Sequence, residues 1–143
     1  MSYEKRKPGM GLRRAARFYA VQMAYKATII GHPLKEVIYK SGDEIFISES
    51  ISIVTIDVDF FQKLIKTTGE NLADIDKIIE KNLSNKWRID RLDNVMISVL
   101  RLGVAELLYL KNIPTNVVFD EYIEISKSFF DKSEVAFVNG LLN

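Results

Sequence analysis

Residues 91–110 read RLDNVMISVLRLGVAELLYL, and the pattern of this stretch decides the fold class. Asp93 is placed to cap a helix through its side-chain oxygen. Behind it, Met96, Leu100, Gly103, Leu107 and Leu110 form one stripe at steps of three and four. Val95, Val99, Leu102, Glu106 and Tyr109 form a second, and Ile97, Arg101, Val104 and Leu108 a third. A helix that is apolar nearly all round has to be covered on every side, so it is a core helix of a helical bundle. Gly103 lets a neighbouring helix approach closely. Glu106 lies on the second stripe, and a buried carboxylate needs a partner. Arg101 points elsewhere, which leaves Arg91 or an arginine of the first helix. Asn112, Ile113 and Pro114 end the segment.

Similar signals extend in both directions. Downstream, Thr115 is an expected cap, and Val118, Tyr122, Ile125 and Phe129 form a buried stripe. A last helix is expected from about Glu134, capped by Ser133. Upstream, Asp57 caps a long stripe of Phe61, Ile65, Thr68, Leu72, Ile75 and Ile79. This predicts one helix to about Leu83, with a bend at Gly69. The first helix, Leu12 to Ile30, carries Leu12, Ala16, Tyr19, Met23, Ala27 and Ile30 on one face, and Gly31, His32 and Pro33 end it. Residues 34–56 are harder to place. Ile45, Ile47, Ile51, Ile53 and Ile56 favour a strand by local propensity. A lone strand would lack a partner, so a packed linker without a sheet is expected. Residues 1–11 hold Pro8, Gly9 and Gly11 among charges and read as a flexible basic arm. The expectation is an all-α bundle of six to seven helices, one domain over residues 12–143.

The chain has 143 residues, 48% hydrophobic and 27% charged, enough apolar material for a core and against disorder as the default. No run is apolar for long enough to span a bilayer, and the polar N-terminus carries no secretory signal. With no cysteine and one histidine, disulfide scaffolds and the usual transition-metal sites are excluded. His32, in a Gly-His-Pro turn, reads as a surface residue. Glu121 and Glu124 lie one turn apart and read as solvated, or paired with arginine at a helix contact, ahead of any acid–base role.

The functional signal is local charge. The net charge is only +1, yet residues 5–17 hold Lys5, Arg6, Lys7, Arg13, Arg14 and Arg17 and no acid. Arg13, Arg14 and Arg17 fall within about a third of the helix circumference. Phe18 and Tyr25 flank Arg14, and cations beside rings suit single-stranded RNA. The competing reading is a solvated charged terminus with the rings in the core, and composition alone favours it.

Further motifs alter that balance. RRAARFYAVQMAY at residues 13–25, the Leu-Arg-Leu core helix with its Glu-Leu step, and Ile-Pro before a helix occur in order. They are followed by Glu-x-x-Ile-Glu, Lys-x-Phe and Phe-Val-Asn-Gly at residues 137–140. The ordered set resembles the NusB family of bacterial transcription antitermination factors, over residues 12–30 and 87–143, with Trp87 fitting. The resemblance implies two fused antiparallel helical subdomains, about 12–84 and 85–143. It implies cytoplasmic binding of boxA RNA from ribosomal RNA operons, as a heterodimer with the small-subunit ribosomal protein NusE, on the RNA polymerase elongation complex. It implies no cofactor and no catalysis, and leaves a homodimer of the free protein open.

By position, the resemblance makes Arg13, Arg14 and Arg17 RNA contacts. Lys127, Phe129, Ser133 and Phe137 fall in a second RNA-facing region, with Ser133 where an acid often stands. Tyr25 matches a partner-facing tyrosine, and Met96 stands where some members place an acid at the partner surface. A related domain occurs fused to ribosomal RNA cytosine methyltransferases. The chain carries no cofactor-binding α/β segment and is expected not to be that enzyme. The alternative function is a helical adaptor that binds only protein.

Overall fold

The computed structural model describes residues 11–39, 56–83 and 88–143, and the backbone of 44–47 and 50–53. The basic arm up to Met10, Trp87 and the expected subdomain boundary at 84/85 lie outside the described residues. Six α-helices are described: α1 Leu12–Ile30, α2 Val58–Glu70, α3 Leu72–Asn82, α4 Asn94–Tyr109, α5 Thr115–Phe129 and α6 Lys132–Leu142. Short 3-10 turns occupy Leu34–Glu36 and Ile89–Arg91.

The nearly all-apolar α4 is the hub, packed against α1, α2, α3, α5 and α6. Its residues Val99, Leu100, Leu102 and Ala105 are completely buried. The expected cap holds: the Asp93 carboxylate accepts from the Val95 and Met96 amides at 2.8 and 3.3 Å. Gly103 faces Leu142 and Tyr122, where an added Cβ would lie 3.2 Å from the leucine side chain. Helix α1 shows the same economy of bulk, with Ala15, Ala16, Ala20, Ala24 and Ala27 all buried. Gly31 ends it in the left-handed region at φ 74°, a conformation that favours glycine.

Several expectations are corrected. Two strands, β1 Glu44–Ile47 and β2 Ser50–Ile53, pair antiparallel, with Phe46 opposite Ile51. The β-branched run is its own partner, which removes the objection that a lone strand could not pair. Strand β1 runs alongside α1, which shelters a ribbon that would be marginal alone. The helix predicted from Asp57 to Leu83 is two helices, broken at Asn71. Gly69 lies inside α2 and marks a close approach: its Cβ position is 2.8 Å from the Lys35 Cα. Thr115 is the first residue of α5, behind Pro114. The cap of α6 is Asp131, not Ser133, in a reciprocal box with Glu134.

Candidate nucleic-acid interface

The start of α1 has no acid in its first turn and no side-chain cap. Cations there oppose the helix dipole, and each of the three arginines is answered by carboxylates from other elements. Arg13 lies 3.6 Å from Asp57, with its guanidinium 5.1 Å from the Phe60 ring centre. Arg14 donates from Nε and Nη2 to Glu121 at 3.0 and 2.8 Å. Arg17 donates from the same pair of nitrogens to Glu106, at 2.9 and 2.5 Å. Its Nη1 lies 3.6 Å from Glu121, and its guanidinium is 4.9 Å from the Phe60 ring centre. The Asp57 amide donates to the Leu12 carbonyl at 3.2 Å, which fixes the start of α2, and hence Phe60, against the start of α1.

Burial separates these three. The side chains of Arg13 and Arg14 are each 48% exposed, that of Arg17 only 4%. Of the three expected RNA contacts, Arg13 and Arg14 present exposed charge, while the charge of Arg17 is buried and paired with Glu106. The expectation that Glu106 pairs with an arginine of the first helix is met in Arg17, and the Tyr122 hydroxyl also donates to Glu106, at 2.9 Å. Burial pushes the Tyr122 hydroxyl well above the usual tyrosine range, and the neighbouring Glu106 charge adds to it. Burial alone would lower the Arg17 pKa, but the Glu106 hydrogen bonds and the surrounding carboxylates raise it overall, so Arg17 stays charged. At Glu121 desolvation favours the neutral acid, and Arg14 and Arg17 together outweigh it and hold the pKa low. The hydrogen bond to Glu121 raises Arg14.

The second expected region runs from α5 into α6. Lys127 is exposed and donates to Glu124 at 3.0 Å. Phe129 is half-buried, its ring centre 6.2 Å from Phe18 and 6.3 Å from Phe130. Phe137 is half-buried against the core, and exposed Ser133 donates to Asp131 at 2.9 Å. The Arg14–Glu121 and Phe18–Phe129 contacts pack the start of α1 against α5. Phe18 itself is a core residue, 2% exposed, and is not available for stacking.

Tyr25 is 40% exposed at the other end of α1, near exposed Ile29 and Ile30. Met96, the other expected partner contact, is 5% exposed and packs into the core. Sequence reasoning missed Asp57 and Phe60 as anchors of Arg13, and Phe130 beside Phe129. Their signal was a cap and two rings next to predicted elements, which spacing alone does not assign to a site.

These features define a helical bundle with exposed cations on α1 and α5 and half-buried rings on α5 and α6. The NusB family model matches residues 14–143. The transcription antitermination protein NusB of Maricaulis maris is 42% identical over 130 residues, covering 90% of this chain and 81% of the relative. That of Caulobacter vibrioides is 40% identical over 133 residues, covering 92% and 89%. Among solved structures, antitermination factors NusB and NusE in complex with double-stranded RNA include a chain 31% identical, TM-score 0.68, with 93% of this chain and 94% of that chain covered. T. maritima NusB superposes with TM-score 0.71 at 30% identity, covering 91% and 87%. The chain belongs to the NusB family.

Proposed function

We propose that the protein is a transcription antitermination factor that binds boxA-type RNA from ribosomal RNA operon transcripts as a heterodimer with NusE. It acts without catalysis, in the cytoplasm, on the RNA polymerase elongation complex. The observation that carries this reading is the pair of half-exposed arginines, Arg13 and Arg14, at the start of α1, which packs against the helix that carries Lys127 and Phe129. The cations supply phosphate contacts that position the strand, and ring edges at Phe129 and Phe137 meet bases. The related complex of NusB and NusE holds double-stranded RNA. The rings favour a single strand here, because only unpaired bases can be splayed onto them. NusE docks at the Tyr25 end of α1, and the helices divide into subdomains of about 12–84 and 85–143.

Filter-binding titrations against boxA-like single strands, scrambled strands and a duplex, each with and without NusE, test this. The expected result is tightest binding to the boxA-like strand, strengthened by NusE. No RNA affinity beside intact NusE binding would instead identify a protein-only adaptor.

A further inference from the structure

Among the described residues, Glu121 is the one carboxylate at the helix start that touches two arginines. It receives the Nε and Nη2 hydrogen bonds of exposed Arg14 and lies 3.6 Å from Nη1 of buried Arg17. Its own side chain is 16% exposed, at the boundary between core and surface. Arg17 does not depend on it, since Nε and Nη2 of Arg17 are held by Glu106. At Arg14, the parallel fork that suits a phosphate is already filled by the Glu121 carboxylate.

We propose that Glu121 is a built-in competitor for RNA phosphate at Arg14, a carboxylate that RNA either displaces towards Arg17 or has to share the guanidinium with. This rests on the RNA-binding reading above. A phosphate reaches Arg14 in one of two ways. It takes the Nε–Nη2 edge and displaces Glu121, breaking two charge-assisted hydrogen bonds. Or it takes the outer Nη1–Nη2 edge, and two anions then share one cation. Both routes cost affinity, so the sign of the effect does not depend on the route. The displaced carboxylate is not stranded, because Arg17 Nη1 is already beside it. Glu121 therefore sets a threshold: a weakly held strand does not open the pair, and a strand fixed by further contacts does. It is a positioning residue that governs how selectively the face accepts RNA.

The test is a double-mutant cycle of Glu121→Gln and Arg14→Ala, read by titration with a boxA-like single strand and a scrambled strand of equal length. Glutamine keeps the shape and one acceptor for Arg14 while removing the charge. Glu121→Gln should raise affinity by about three- to tenfold, the scale of one charge near a partly exposed pair. The gain should be larger for the scrambled strand, so discrimination falls. In the Arg14→Ala background the same change should have little effect. Thermal melting of each variant reports folding, and Glu121→Asp, which keeps the charge, serves as a second variant should glutamine unfold the chain; its affinity should stay close to that of the unaltered protein. Unchanged or weaker binding by folded Glu121→Gln, with Arg14→Ala still weakening RNA, overturns the competitor and leaves the RNA face standing. Binding indifferent to Arg14→Ala overturns the RNA face itself.

Discussion

Glu106 is completely buried, yet its carboxylate receives hydrogen bonds from Arg17 and Tyr122. A charge in that position is tolerated because both oxygens are occupied by donors. Alanine there would leave the Arg17 guanidinium buried, with Glu121 at 3.6 Å as its remaining anion, and would strand the Tyr122 hydroxyl. Glu106→Ala should therefore destabilise the fold by about 3–5 kcal/mol, read as a lower melting temperature. An unchanged melting temperature would show that the pair contributes nothing to folding. The sequence placed Glu106 on an apolar stripe and named the first helix as a source of its partner. It could not choose among Arg13, Arg14 and Arg17, because all three occupy one sector of α1. Which of them enters the core is decided by where α4 and α5 cross α1, and that is a tertiary fact.

Helix positions were legible where apolar stripes are long and a carboxylate opens them. Asp57 and Asp93 both cap as expected, with Asp57 accepting from the Phe60 amide at 3.0 Å. Features that depend on a second segment were not legible. The strand pair needs β1 and β2 to meet antiparallel, and local propensity does not say that they will. The break at Asn71 follows from its side chain donating to the Thr67 carbonyl at 2.8 Å, beside its own amide, while Gly69 serves the turn Leu34–Glu36. In a solvated helix, Gly69→Ala would gain roughly 1 kcal/mol. Here the new Cβ would lie 2.8 Å from the Lys35 Cα and against its amide nitrogen, and backbone cannot swing aside as a side chain does. The substitution should instead cost about 1–3 kcal/mol, measured as a lower urea midpoint with an unchanged slope. A gain in stability would show that the turn yields freely.

Across the whole molecule the net charge is only +1, and the site is balanced in the same way, with Arg13, Arg14 and Arg17 facing Asp57, Glu121 and Glu106. The sequence revealed the cations because they are adjacent in it, and concealed the matching carboxylates because those lie at the start of α2 and on α5 and α4. Such a face exerts little long-range pull on RNA and has to act by contact. The two exposed arginines and Lys127 should then each carry a separable share of the salt dependence. For a single strand, the slope of log affinity against log salt should fall by roughly 0.7 for each phosphate-binding cation removed. Arg13→Ala, Arg14→Ala and Lys127→Ala should each show that decrement on the boxA-like strand, and Arg13→Ala and Lys127→Ala should weaken boxA-like and scrambled strands alike, because phosphate contacts position a strand without reading it. Phe129→Ala should do the reverse, lowering affinity for the boxA-like strand and leaving the slope unchanged. Arg17→Ala separates burial from charge: it should lower the melting temperature, and the folded fraction should keep the slope of the unaltered protein. A slope that falls for Arg17→Ala as much as for Arg14→Ala would mean that the buried guanidinium reaches RNA, and that the core pair opens when the strand binds.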